Sequence, residues 1–159
     1  MTKLFLSTIL ILALSFSAFA QADADVKKDQ EAIKKVIQSA YVEGIQNEGN
    51  LDKIDKGFHP GFNLIGIGQG KQSWKLPIYN WKESTKKKLE EGKLPKKDKD
   101  KMVSVKFLNV DVTGTAAVVK LEFYVGKKLT YVDYLSLYKF EDDWKIVSKI
   151  FYKFPDKKD

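Results

Sequence analysis

Residues 115–154, TAAVVKLEFYVGKKLTYVDYLSLYKFEDDWKIVSKIFYKF, read as three long antiparallel strands joined by two tight turns. Side chains alternate across a strand, so parity sorts them onto two faces. In 115–125 the odd positions Ala117, Val119, Leu121 and Phe123 are apolar, while Lys120 and Glu122 belong in water. In 143–154 the even positions Trp144, Ile146, Ser148 and Ile150 share a face, and Lys145, Lys149 and Lys153 fall on the odd, outer side. The middle strand, 128–140, is apolar on both faces. A turn at Glu141-Asp142 sets Leu135 opposite Ser148 and Leu137 opposite Ile146, so the odd face, with Tyr131 and Asp133, is the inner one. A slip of one residue would reverse every side chain. A three-residue loop at Gly126-Lys127-Lys128 keeps register with the preceding strand and brings Leu121 beside Asp133. Strands of this length curve and present a broad apolar face, and the rest of the chain reads as its cover.

In this register Asp133 is a carboxylate on an apolar face. Burying it unpaired would cost several kcal/mol, so it must be protonated, hydrogen-bonded or wet. Two readings stay open: a structural acid held by a nearby hydroxyl or by backbone, or a polar handle at the floor of a ligand pocket.

The cover begins with a helix. Ile33, Val36, Ile37, Ala40, Tyr41, Gly44 and Ile45 form one apolar stripe at 3.6-residue spacing, which Asp25 or Asp29 can cap and Gly49 stops. Tyr41 lies mid-stripe, where its hydroxyl meets the sheet. Asn50 can cap a short second helix over 51–56 that Gly57 closes, followed by a Phe58-His59-Pro60-Gly61 turn and a first strand over 62–68. Residues 73–91 read as a third helix with Pro77 in its first turn. Its Trp74 and Trp81 would lie along the edge of an aromatic-lined pocket. A polar loop, 92–101, leads to a second strand over 101–112. Two sets compete for that strand's inner face: Val103, Val105 and Phe107, or Met102, Leu108 and Val110.

Residues 1–20 are expected to be a secretory signal peptide: Lys3 near the start, an apolar run from Leu4 to Phe16, and an Ala18-Phe19-Ala20 cleavage site. That predicts a periplasmic or secreted protein cleaved near Ala20, with residues 21–159 as one domain. The apolar run is shorter than a membrane span needs. The chain lacks cysteine, which excludes disulfides and a lipid-anchored cysteine. All 28 basic residues are lysine, and the net charge is +7. Without arginine to fork onto phosphates, a basic chain is poorly equipped for nucleic acid, so none is expected as a partner. His59 is the only histidine and stands in no metal-ligand spacing, so neither a metal nor another cofactor is expected. The glycines at 66, 68 and 70 open no helix at the place a dinucleotide fingerprint requires. They fit a bent strand, or a ring lying against the backbone.

Helix, short helix, strand, helix and four antiparallel strands is the order of the nuclear transport factor two-like (cystatin-like) superfamily. Within it, Asp133-Tyr134-Leu135-Ser136-Leu137, the run Trp144-Lys145-Ile146-Val147-Ser148-Lys149-Ile150-Phe151 and the Phe58-His59-Pro60 turn resemble the lumazine-binding-like family of small bacterial proteins. The resemblance spans nearly all of 21–159. It implies an α+β fold, a cone-shaped curved antiparallel sheet wrapped around the N-terminal helix, with a deep pocket and often a dimer formed through the sheet. The superfamily also holds ketosteroid isomerase. Laid on that enzyme, Tyr41 falls on the tyrosine that donates to the oxyanion, and its general-base aspartate falls on Gly66. The donor is present and the base is missing, which counts against isomerase chemistry.

These readings favour a non-catalytic, small-molecule-binding protein whose cone pocket is lined by Tyr41, His59, Trp74, Trp81, Phe123, Tyr131 and Asp133. The alternative is a small acid–base enzyme, of dehydratase, hydrolase or isomerase type, using Asp133 with His59 or Tyr41. Val132, Tyr134, Tyr138 and Phe140 on the outer face suit a homodimer through the sheet.

Overall fold

The computed structural model describes residues 24–95 and 98–155, so the signal peptide expected at 1–20 lies outside the described residues. The first helix, α1, covers residues 24–48 and is more widely wound over Ile37–Glu48, where π-type i→i+5 bonding replaces the α-helical pattern. Gly49 ends it in the left-handed region at φ 69°. Asp25 and Asp29 lie inside this helix rather than capping it. Asp29 instead accepts from Trp144 Nε1 at 3.0 Å and from Lys139 Nζ at 2.9 Å, tying α1 to the sheet. The wider winding also buries Val42 and Asn47, which a 3.6-residue stripe leaves out. The Asn47 side chain accepts from Val103 N at 2.8 Å and donates to Val103 O at 2.9 Å. Helix α2, Leu51–Gly57, follows with Asn50 as its cap, the side chain accepting from Lys53 N.

Six strands form one open sheet: β1, Phe58–Ile67; β2, Ser73–Pro77; β3, Val103–Thr113; β4, Ala116–Val125; β5, Lys128–Phe140; and β6, Asp143–Lys153. Their order is β2-β1-β6-β5-β4-β3, and only the β1–β6 pair is parallel. The fold is α+β, with α1 laid across the inner face of a curved sheet. Leu121, Leu135, Leu137 and Ile146 from the sheet join Ile33, Ile37, Tyr41 and Ile45 from α1 in one core. Among the described residues no helix is long and apolar enough to cross a membrane.

The structure corrects four details of the sequence reading. Residues 73–77 are not helical: they pair with β1 as an edge strand, and helix α3, Ile78–Glu90, begins only after Pro77, which is extended at ψ 152°. Proline, lacking an N–H, is tolerated at such an edge. Strand β1 starts at Phe58, so the expected turn at 58–61 is already strand. The Gly126-Lys127 turn has two residues, not three, and a bulge between the Phe123–Tyr131 and Tyr124–Leu129 pairs restores the expected pairing of Leu121 with Asp133.

The fourth correction concerns β6. Leu137 pairs with Ile146 as expected, but Ser136 pairs with Ser148 and Leu135 with Lys149. One extra residue, Val147, therefore lies between these pairs. Such a bulge flips the facing of everything beyond it. Trp144 and Ile146 point inward, and past the bulge Lys149 is buried while Ile150 is 52% exposed. A second bulge, at Leu108 in β3, resolves the two competing sets: Val103, Val105 and Phe107 face in before it, and Val110 and Val112 after it.

Candidate functional site

The β6 bulge creates the most unusual cluster in the molecule. Asp133 on β5 is fully buried, and Lys149 on β6 is 5% exposed. Leu135 pairs with Lys149 across the ladder and Asp133 with Phe151, so Asp133 and Lys149 are diagonal neighbours on the inner face. Lys149 Nζ stands 2.5 Å from Asp133 Oδ1, which has no other partner among the described residues. Tyr41 reaches the same point from α1. Its hydroxyl donates to Asp133 Oδ2 at 2.7 Å and accepts from Lys149 Nζ at 2.9 Å. A buried ion pair is tolerable only when its remaining polar valences are met, and the phenol meets two of them.

Four rings surround the ammonium, with centroids 5.0 Å away for Tyr41, 5.2 Å for Phe151, and 5.9 Å for Phe123 and Tyr131. These distances lie within cation–π range, and Tyr41 meets the cation through its hydroxyl. Burial nevertheless holds the Lys149 pKa below its ordinary 10.5, against the pull of the Asp133 charge and hydrogen bond. The Tyr41 phenol is pushed well above its ordinary 10.0, by burial first and then by the Asp133 charge and hydrogen bond. In the resting site Tyr41 therefore stays protonated and donates that proton to Asp133.

Beside this triad opens a cavity of about 290 Å³. Tyr41, Trp81, Phe123, Tyr131 and Phe151 form its aromatic wall, Leu64, Val103 and Val125 its aliphatic one, and Gln46 and Lys149 join Tyr41 as polar groups. The Trp81 indole is fixed by edge contact with Tyr41 at 5.9 Å and by stacking on Phe62 at 6.0 Å. An ammonium has three donors. Lys149 spends one on Tyr41 and one toward Asp133, which leaves a third for a ligand.

Of the seven residues expected to line a pocket, Tyr41, Trp81, Phe123 and Tyr131 line this one. Asp133 lies directly behind Tyr41 and Lys149 rather than on the surface of the cavity. Trp74 is 39% exposed and covers Gly66, with its ring 6.1 Å from Phe151. His59 lies outside the cavity: its Nδ1 accepts from Gly61 N at 3.0 Å, and its ring stacks on Phe140 at 4.7 Å. Lys149, Phe151 and Gln46 escaped the sequence reading. Parity sends Lys149 outward until the bulge is known. The usable signal was the buried acid itself, which demands a cation, and Lys149 is a lysine two residues from its cross-strand partner. Among the described residues no cluster of His, Asp or Glu could hold a metal ion.

Residues 28–152 match the family model described as Putative lumazine-binding. Among curated proteins, the chain is 29% identical over 118 residues to an aldolase, FrzH, from Cladobotryum sp, covering 72% of this chain and 84% of that one. Among solved structures it resembles an NTF2-like protein of unknown function from Shewanella baltica, with TM-score 0.63 and 20% identity, covering 81% of this chain and 96% of that one. A second such protein, from Silicibacter pomeroyi, gives TM-score 0.63 and 16% identity, covering 80% and 98%. A third, from Methylobacillus flagellatus, gives 0.59 and 22%, covering 80% and 94%. At these identities the structural likenesses speak for the fold alone.

Proposed function

The chain belongs to the Putative lumazine-binding family, and on that premise we propose that it binds a small, largely apolar ring compound bearing one acceptor oxygen. The observation that carries this reading is the buried Lys149 ammonium at the wall of an aromatic cavity, held by Tyr41 and Asp133. Most of the ligand's contact would be with Trp81, Phe123, Tyr131 and Phe151. Its oxygen would take the lysine's remaining donor. A cavity of about 290 Å³ suits a compound of one or two rings. In the proposed setting a second copy of the chain covers the outer sheet face.

Thermal unfolding with a panel of small aromatic carbonyl compounds and carboxylates tests the reading. A ligand at about a hundredfold its Kd adds about 2.7 kcal/mol, which raises the Tm of a domain this size by several degrees. The hydrocarbon analogue of each compound should raise it much less. Equal shifts for both would remove Lys149 as the anchor, and no shift across the panel would remove the binding reading.

A second reading, an enzyme acting on a carbonyl compound, is supported by the likeness to a protein named an aldolase and by the contact of Tyr41 with Asp133. His59 has no place in it, because it lies outside the cavity. The same panel followed by proton NMR in heavy water separates the two. A ligand that only binds keeps its α-hydrogens, whereas an acid–base site exchanges them for deuterium.

A further inference from the structure

Lys149 is the one buried lysine among the described residues, and its amine is the group of the triad with nucleophilic potential. We propose that Lys149 forms a Schiff base with an aldehyde or ketone seated in the aromatic cavity, with Asp133 and Tyr41 as its proton partners. This rests on the binding reading above and adds a covalent step to it.

Three observations carry it. Lys149 is one of the residues that line the cavity, and in the proposed complex the bound carbonyl carbon lies beside its Nζ. Asp133 Oδ1, 2.5 Å from Nζ and without another partner, is placed to take the proton that frees the lone pair. Tyr41 Oη, 2.9 Å from Nζ, is placed to give a proton to the carbonyl oxygen and to recover one from Asp133 through its 2.7 Å hydrogen bond. The charged and titratable groups around Nζ are Asp133, Tyr41 and Tyr131, so one carboxylate and two phenols face a single amine. Desolvation among the rings lowers the lysine's pKa, which favours the neutral amine this step needs.

The step balances. The ammonium proton passes to Asp133, and the nitrogen lone pair forms a C–N bond as the carbonyl π pair moves onto oxygen. That oxygen is protonated from Tyr41. The carbinolamine then loses its C–O bond, and the oxygen leaves as water. Of the three hydrogens on the ammonium, two depart in the water and one stays on the iminium nitrogen. The positive charge is conserved, so the product keeps its ion pair with Asp133.

Benzaldehyde is the probe, with sodium cyanoborohydride at neutral pH to reduce any imine to a stable benzylamine, mapped by peptide mass spectrometry. Benzyl alcohol, which cannot form an imine, reports occupancy of the same cavity through Trp81 fluorescence. The expected result is a benzyl adduct on Lys149 forming several-fold faster than on any exposed lysine, because the aromatic cavity holds the aldehyde beside it. Excess benzyl alcohol should suppress this adduct and leave the surface labelling unchanged. Tyr41→Phe should slow labelling of Lys149 several-fold when it and the wild type are compared at benzaldehyde concentrations that give equal occupancy of the cavity. Occupancy by benzyl alcohol with labelling confined to surface lysines would overturn the Schiff base and leave the binding reading standing. Neither occupancy nor Lys149 labelling would overturn both.

Discussion

Lys149 sets the chemistry of this molecule, and its burial has a consequence for stability that depends on pH. Its folded pKa lies below 10.5, so between that lowered value and 10.5 the folded state binds fewer protons than the unfolded chain. Stability then rises as pH climbs through that window. Tyr41 acts in the opposite direction at higher pH. Its folded pKa lies well above 10.0, so past that point the unfolded chain loses a proton that the folded state keeps, and stability falls. The comparison protein is the double variant Lys149→Met with Asp133→Asn, because removing the lysine alone would leave a buried, unpaired carboxylate at a cost of about 3–5 kcal/mol. In urea unfolding from about pH 7 to about pH 10, the wild type is expected to gain on the double variant, by at most about 1.4 kcal/mol per pH unit for one proton. A constant difference across that range would mean that Lys149 does not shift its titration on folding.

The elements were legible in sequence where the local pattern matched the global period, and illegible where one residue broke it. Ala117, Val119, Leu121 and Phe123 kept strict alternation and face inward as expected. The pairing of Leu121 with Asp133 was also readable, though from a three-residue loop, where the structure reaches it by a two-residue turn and a compensating bulge. Bulges carry no such signature. Val147 and Leu108 are ordinary strand residues in sequence, yet the first turns Lys149 inward and the second lets both candidate faces of β3 be inner in turn. The π-wound part of α1 was invisible for the same reason, since its period is not the 3.6 that a stripe reveals. Gly66 was legible as a place for close approach, and it is one: a Cβ there would overlap the Trp74 indole, paired with it across β1 and β2. Gly66→Ala is expected to displace that ring and loosen β2, at about 1–3 kcal/mol as for other overpacked sites. The readout is a lower urea midpoint with a red-shifted tryptophan emission. An unchanged midpoint and spectrum would show that the indole does not depend on the bare backbone.

At the scale of the whole molecule, the sheet presents an outer face that resembles an interface more than a solvated surface. Val118 is 50% exposed, Tyr134 38%, Ile150 52% and Tyr152 58%. Tyr134 pairs with Ile150, and Val118 and Tyr152 lie on the two strands flanking β5, so these side chains form one apolar area across β4, β5 and β6. Contiguous patches of this kind mark contact sites, and a two-fold axis would let the same patch cover itself. The charge argues about strength. The chain carries +7, and Lys120 lies over the Tyr134 ring at 5.6 Å, so two copies meeting here bring like charges together around an apolar centre. Salt screens that repulsion within about 10 Å at 0.1 M and leaves the apolar term largely intact. Light scattering after size exclusion is therefore expected to show a dimer that tightens as salt rises. Tyr134→Glu combined with Ile150→Glu would set four carboxylates against one another across the axis. Such repulsion costs several kcal/mol, and the dimer should weaken by about a hundredfold or more. The inner cavity, on the other side of the sheet, should keep its ligand response in the monomer. A dimer that dissociates with rising salt would instead be held by ion pairs, and one that survives both substitutions would use another surface.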